Sequence, residues 1–134
     1  MSHLFNTDTM KNPYFGFWKL QCQHIMKLKY TILYVENVSK TLNFYKQSFG
    51  FQTKMLHESG DYGELDTGET TLAFSSLKLM SDLGKNPIKA NPSAPSFEIA
   101  FETQEVRKWL NQAIKSGAVL VQDIQEETWG QTTS

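Results

Sequence analysis

A carboxylate within an apolar stretch is the first feature of this sequence that suggests chemistry. Glu98 lies in the stretch Pro95-Ser-Phe-Glu-Ile-Ala-Phe101, where alternation along a strand would place it on one face with Ala100 and Glu102. A carboxylate that faces apolar surroundings must be paired, hydrogen-bonded or neutralised. Glu98 could therefore hold a cationic or hydroxylated part of a ligand, or act as a general base. Alternatively, it faces solvent or accepts a bond from the Tyr30 hydroxyl.

Two aromatic residues are each followed, two positions later, by a polar side chain. Trp129 precedes Gln131 and Tyr62 precedes Glu64, so each pair would share one face of a strand. An aromatic ring beside a polar group offers a stacking plane and hydrogen bonds, which suits a planar or amphipathic small molecule. Core filling with a surface amide is the alternative. Phe74 could equally line a ligand cup or fill the core.

The composition narrows the classes of partner and compartment. Thirteen basic and fourteen acidic residues leave a net charge of −1, and no basic stripe stands out, which argues against nucleic-acid binding. The apolar runs are too short to span a bilayer, so no membrane contact is expected. Cys22 is the single cysteine, which excludes an internal disulfide and predicts a reducing, cytoplasmic location.

The secondary-structure elements that would position these residues are predicted to occur twice along the sequence. Four positions recur at an offset of 68 residues: Val38, Lys40, Leu42 and Asn43 match Val106, Lys108, Leu110 and Asn111. Further on, Tyr62-Gly63-Glu64 matches Trp129-Gly130-Gln131. Tyr30 and Glu98 then stand at equivalent positions, each early in the first strand of its half. The repetition predicts two successive βαβββ units.

Local patterns give the elements of each unit. In the first unit, residues 27–36, 51–57, 62–66 and 70–75 are predicted strands. Apolar spacing predicts a helix from Val38 to Phe49, with Asn37 as N-cap and Gly50 as its stop. In the second unit, a helix beginning near Val106 has Thr103 as the expected cap. Trp129 and Gln131 are assigned to the third strand.

These elements divide the chain into four segments. Residues 1–25 are an extension, 26–77 the first unit, 78–95 a linker and 96–134 the second unit. The linker is expected to contain a short helical turn near residues 79–83. The counterpart of the fourth strand would begin near residue 137, beyond Ser134, so the second unit is expected to lack its last strand. The extension, with aromatics from Tyr14 to Trp18, could replace that strand.

Paired βαβββ units resemble the vicinal oxygen chelate superfamily, which includes glyoxalases, bleomycin-resistance proteins and extradiol dioxygenases. The resemblance covers residues 27–134 and rests on six stretches: Tyr30-Thr-Ile-Leu-Tyr-Val-Glu-Asn-Val, Leu42-Asn-Phe-Tyr45, Phe49-Gly50-Phe51, Pro95-Ser-Phe-Glu-Ile-Ala-Phe101, Gly117-Ala118 and Trp129-Gly130-Gln131. It implies an α+β fold in which both units form a partly open, cup-shaped mixed sheet. It also implies a ligand site inside the cup and a homodimer.

The resemblance also names where metal-using relatives place their ligands: the first and fourth strand of each unit. At those positions this chain has Tyr30, a poor ligand at neutral pH, and Glu98. The fourth strand of the first unit offers no carboxylate or imidazole. One carboxylate does not hold a catalytic metal, so neither metal nor other cofactor is expected.

We therefore expect metal-free binding of a small molecule in an aromatic-lined cup, as in bleomycin-resistance-type proteins. The candidate ligand-binding residues are Tyr30, Tyr62, Phe74, Glu98, Trp129 and Gln131. The first alternative is a metal-dependent or metal-independent lyase or dioxygenase-type enzyme of the superfamily that uses Glu98, the candidate general base. The second is a truncated relic without a complete site.

Overall fold

The computed structural model describes residues 26–134. The predicted extension, with its proposed replacement strand, lies outside the described residues. Over the described range the fold is α+β with a mixed sheet, which confirms the predicted class. The elements are β1 (Tyr30–Val35), α1 (Val38–Phe49), β2 (Gln52–Leu56), β3 (Tyr62–Asp66), β4 (Thr71–Ser76), α2 (Leu77–Asp82), α3 (Val106–Lys115), β5 (Gln125–Glu126) and β6 (Thr132–Thr133).

The first four strands form one sheet in the order β1-β4-β3-β2. Strands β1 and β4 are parallel, and the crossover between them contains α1 and the antiparallel pair β2 and β3. Tyr30 lies opposite Thr71 on β4, and Tyr62 lies opposite Ser75. The strands predicted for the first unit all form, with ends within three residues of the expected positions.

Helix α1 begins and ends as its sequence predicts. The Asn37 side chain accepts a hydrogen bond from the Lys40 backbone N–H at 2.8 Å, which satisfies one of the free donors of the first turn. Gly50 ends the helix with φ +74°, and its N–H donates to the Lys46 carbonyl. A left-handed residue at this place favours glycine.

The core lies between α1 and one face of the sheet. Its buried members come from the helix and from β3 and β4: Val38, Leu42, Leu65, Leu72 and Phe74. Gly63 on β3 lies directly under the helix, since a Cβ added there would stand 2.7 Å from Leu42 Cδ1 and 3.1 Å from Val38 Cγ1. The glycine therefore allows the helix to pack closely on the sheet.

The second half differs from its prediction. Residues 96–102, the expected first strand around Glu98, belong to no strand. Instead, Ile99 packs against the core of the first unit, and Phe101 contacts the rings of Phe49 and Phe51 at centroid distances of 5.3 and 4.9 Å. The segment therefore covers the open end of the core with its apolar side chains, where no strand pairs with it.

Two further expectations for the second half are wrong. The N-cap of α3 is Glu105, not Thr103, because the Thr103 hydroxyl accepts the Glu105 N–H in a local turn instead. Trp129 lies in the turn between β5 and β6, and Gln131 immediately precedes β6, so the expected third strand does not form there. Both strands of this hairpin have only two residues.

Helix α3 forms and docks on α1. The Gln112 side chain donates to the Gln47 carbonyl at 2.9 Å, and Ala113 is buried. The ring of Trp109 packs over Gly50, with Cη2 3.1 Å from where a Cβ would lie. The α2 helix confirms the predicted helical turn after β4. No helix within residues 26–134 has the length and apolar character needed to cross a membrane.

Candidate ligand site

The two faces of the four-stranded sheet have different surroundings. Leu72 and Phe74 of β4 face α1, so alternation places Thr71, Ala73 and Ser75 on the opposite face. We call this opposite side the open face. Since α1 lies on the other side and α3 packs against α1, neither of these helices covers it. Thr71, Ala73 and Ser75 are themselves at most 2% exposed, so a ligand can reach only the side chains of the flanking strands.

A polar cluster lies on the open face. Glu64 of β3 is only 8% exposed, and its carboxylate accepts the Tyr62 hydroxyl at 3.0 Å. The Lys54 ammonium is 3.5 Å from the second carboxylate oxygen and 3.3 Å from the hydroxyl of buried Thr71. Each oxygen of the buried carboxylate thus has a partner, as a buried charge requires.

An irregularity in β2 brings Lys54 to this cluster. The pairing of β2 with β3 shifts register between Thr53 and Met55, so that Met55 lies opposite Glu64. An extra residue in one strand lets two neighbouring residues lie on one face. Lys54 and Met55 therefore both reach the open face.

The cluster holds the Tyr62 phenol in its protonated form. Burial, the hydrogen bond to Glu64 and the charge of Glu64, with a smaller contribution from Tyr30, raise its pKa to about 12. An ionised phenol beside a carboxylate is unfavourable because two negative charges would be adjacent. At neutral pH Tyr62 is a hydrogen-bond donor to Glu64.

Half-exposed apolar side chains surround the cluster. On β1, Tyr30 is 42% and Ile32 is 45% exposed, and on β2 Met55 is 37% exposed. Apolar surface with a few well-placed polar groups is typical of small-molecule sites. The open face therefore combines a fixed polar centre with an apolar surround.

A separate cavity lies on the α1 side of the sheet, where the segment 96–102 crosses the end of the core. It has a volume of about 510 Å³ and is lined by Thr31, Phe51, Thr67, Thr70, Leu72, Glu98, Ile99, Ala100, Phe101 and Glu102. The volume falls within the range of small-molecule pockets. Its charged lining groups are two carboxylates.

The structure separates the residues that the sequence suggested. Tyr30 and Tyr62 lie on the open face, whereas Glu98 lines the cavity. Phe74 is fully buried in the core, which resolves the choice between cup and core for its position. Tyr30 and Glu98, although equivalent in the repeat, do not face one common space.

Trp129 and Gln131 lie apart from both places. Trp129 is 64% exposed, and its indole N–H donates to the Gln131 side-chain oxygen at 3.0 Å. Their roles as ligand-binding residues stay predictions. Lys54 was missed, because an isolated lysine in a strand carries no signal before the register shift is known.

The donor set does not fit the metal site of metal-using relatives. Within the part of the chain that the structure describes, no three His, Cys, Asp or Glu side chains lie close enough together to hold an ion. The most buried carboxylate of the open face is Glu64, and both of its oxygens already have partners.

Comparison with known families agrees with this architecture. The sequence model of the family described as glyoxalase-like domain matches residues 28–134 of this chain. The chain belongs to the glyoxalase-like domain family. This confirms the superfamily to which the sequence showed a resemblance. Among curated proteins, none matches this glyoxalase-like domain.

Solved structures show the same fold. A glyoxalase/bleomycin resistance protein/dioxygenase family enzyme from Burkholderia phytofirmans PsJN is 24% identical, with a TM-score of 0.57 over 78% of this chain and 84% of that one. A glyoxalase/bleomycin resistance protein/dioxygenase from Nocardioides is 14% identical, with a TM-score of 0.63 over 78% and 70%. Lactoylglutathione lyase from Agrobacterium tumefaciens is 19% identical, with a TM-score of 0.54 over 79% and 80%. At these identities the likeness shows the fold of the glyoxalase-like domain alone.

Proposed function

We propose that this glyoxalase-like domain binds a small organic molecule on the open face of its sheet, without a metal ion. The observation that carries the proposal is the buried Glu64, held by Tyr62 and Lys54 within half-exposed apolar surface. Burying a carboxylate is costly, and here its partner Lys54 is itself 46% exposed, so the pair offsets that cost only in part. Stability alone therefore gives little reason for such a pair at this place.

Binding is proposed in preference to catalysis. The Glu64 carboxylate accepts the Tyr62 hydroxyl and is ion-paired with Lys54 at 3.5 Å, and its side chain is only 11% exposed, so it is largely shielded from the protons of a ligand. Tyr62 has a pKa of about 12 and its single proton is directed to Glu64. These groups can orient a bound molecule, and the Tyr62 phenol is not poised as an acid or base near neutral pH.

Methyl NMR tests the location of binding directly. The protein, labelled at Ile and Met methyls, is titrated with a panel of planar aromatic acids, amides and amines. We expect the Ile32 and Met55 methyl signals to shift with at least one probe, while those of Ile88, which is 84% exposed in the linker, stay unchanged. If no probe shifts the methyl signals of Ile32 or Met55, the proposal is contradicted.

The cavity at Glu98 is a second candidate for the same function. Its two carboxylates, with the rings of Phe51 and Phe101 in the lining, would suit an organic cation. In this case the aromatic amines of the panel would bind more weakly to Glu98→Gln than to wild type. Glu58→Gln, at an exposed turn, is the matched control that should not change affinity.

We also propose a homodimer. Strand β1 is an edge of the sheet, so it offers unpaired backbone groups to a partner. Light scattering at the concentration of the titration measures the mass directly. A mass of one chain, 15.4 kDa, would contradict the dimer.

A further inference from the structure

We propose that Lys54 anchors the carboxylate of a small organic acid on the open face, with Glu64 and Thr71 as positioning residues. This inference rests on the proposed function and adds the chemical class of the ligand. It follows from which members of the polar cluster still have hydrogen-bonding capacity and which of them a ligand can reach.

The carboxylate of the cluster is not available to a ligand. The Glu64 side chain is 11% exposed, and its two oxygens already lie within reach of the Tyr62 hydroxyl and the Lys54 ammonium. The Tyr62 hydroxyl has used its one proton on Glu64. A cationic ligand would therefore meet the like charge of Lys54, which is 46% exposed, before it reached the carboxylate, which is 11% exposed.

The ammonium is available. An ammonium has three N–H donors, and Lys54 has two acceptors nearby, Glu64 at 3.5 Å and Thr71 at 3.3 Å. Its side chain is 46% exposed, so the remaining donor can reach an incoming oxygen. The exposed member of the cluster thus presents a positive donor, which selects an anionic acceptor.

The position of the ammonium is prepared before binding. A free lysine side chain loses rotamer freedom when it binds a ligand, and that loss weakens binding. In this cluster Lys54 contacts Glu64 on β3 and Thr71 on β4. Part of its rotamer freedom is therefore already lost when the protein folds. Their role in this proposal is to position Lys54 rather than to contact the ligand.

The surroundings define the rest of the ligand. Tyr30, Ile32 and Met55 are each between 37% and 45% exposed. An aromatic or branched aliphatic body lying on these side chains would remove apolar surface from water. The face thus fits a small acid with one carboxylate and an apolar body, whereas the cavity at Glu98 and Glu102 would favour the opposite charge.

The probes are 1-naphthoate, 1-naphthamide and 1-naphthylmethylamine, which share a ring system and differ in charge. Affinities are measured by isothermal titration, and the site is followed through the Ile32 and Met55 methyls. We expect naphthoate to bind wild type at least about tenfold more tightly than the amide does, because a charged hydrogen bond is worth more than a neutral one. Lys54→Met should remove this preference, and Lys54→Arg should keep it.

Lys40→Met is the matched control. Lys40 is an exposed lysine on α1, across the sheet from the open face, so the same chemical change there should leave naphthoate affinity unaltered. Melting temperatures of all variants verify folding, and should Lys54→Met fail to fold, Lys54→Gln replaces it. An equal loss in the Lys40 variant would show a general charge effect and overturn the inference.

The remaining outcomes separate this inference from the proposed function. If the amide shifts the Ile32 and Met55 methyls as strongly as naphthoate does, binding on the open face stands and the choice of an acid is overturned. If naphthoate shifts them equally in wild type and Lys54→Met, Lys54 is not the anchor. If no probe shifts these methyls, both proposals fail together.

Discussion

The same three-residue pattern has two different structures in the two halves of this chain. Tyr62-Gly63-Glu64 lies on a central strand, whereas Trp129-Gly130 lies in a turn before Gln131. The local bond is nevertheless alike: the aromatic donor bonds the polar side chain two residues later at 3.0 Å in both halves. Local sequence thus determined the bond, and long-range packing determined its setting.

The two patterns differ in the secondary-structure elements that pack around them. β3 lies between β2 and β4 and under α1, so Gly63 is buried and Glu64 is 8% exposed. The hairpin of β5 and β6 forms a sheet of its own, and Trp129 is 64% exposed. A two-stranded hairpin without a third strand is marginal in water. The comparison predicts that equivalent changes have large effects in the first half and small effects in the second.

The largest contrast is expected from core truncation. Phe74→Ala should lower the free energy of unfolding by about 3–5 kcal/mol, because the ring is fully buried among core residues. Val121→Ala in the second half, where the side chain is 96% exposed, should change it by less than about 0.5 kcal/mol. Urea denaturation measures both, and comparable losses would break the contrast.

The second-largest contrast in stability is expected between substitutions of the two equivalent glycines, Gly63 and Gly130. In Gly63→Ala the new Cβ would meet Leu42 Cδ1 at 2.7 Å and the Met55 carbonyl oxygen at 3.2 Å, so overpacking should cost about 1–3 kcal/mol. Gly130 has φ +86° and no heavy atom within 4 Å of an added Cβ. Since Asn adopts that backbone more readily than other non-glycine residues, Gly130→Asn should cost about 1 kcal/mol or less in the same denaturation. A larger loss of stability in Gly130→Asn would indicate that the hairpin is more tightly packed than the structure shows.

A smaller effect of opposite sign is expected at a buried hydroxyl on α1. Ser48 on α1 is fully buried, and its hydroxyl has no hydrogen-bond partner among the described residues. Ser48→Ala should raise stability by about 1 kcal/mol, because it removes an unsatisfied buried group and improves helix propensity. Ser39→Ala, exposed on the same helix, controls for propensity in thermal melting. A loss of stability at Ser48 would indicate a bond that the hydroxyl does make.

The smallest effect on stability is expected from Tyr62, and its pH dependence should appear only in alkaline solution. The folded state holds the Tyr62 proton more tightly than the unfolded chain, because the pKa rises from 10.0 to about 12. This stabilisation is complete below about pH 10 and is lost as the pH rises towards about 12. The difference in melting temperature between wild type and Tyr62→Phe should therefore shrink across that window.

Trp129→Phe provides the control for this titration. It removes the equivalent indole bond to Gln131 but no group that ionises in alkali. Its difference from wild type should stay constant over the same pH range. A parallel change in both variants would assign the pH dependence to other groups and not to Tyr62.

The sequence predicted the first unit well because each of its signals is local or periodic. The helix from Val38 to Phe49, its Asn37 cap and the strand Tyr62–Asp66 all occur as predicted. Candidate site residues were harder to place. Tyr30 and Tyr62 share a face by alternation, but the partnership of Lys54 with Glu64 depends on a register shift that no local pattern announced.

By itself, the sequence determined the helices, the first unit's strands and the family, because spacing, caps and turns act over a few residues. The tertiary structure alone decided that the segment around Glu98 covers the end of the core, with Ile99 packed against it, instead of joining a sheet. A strand needs a partner with free backbone groups, and whether one is within reach depends on contacts far away in sequence. Apolar side chains such as Ile99 and Phe101 can pack against any accessible core surface, so their partial burial does not require a strand.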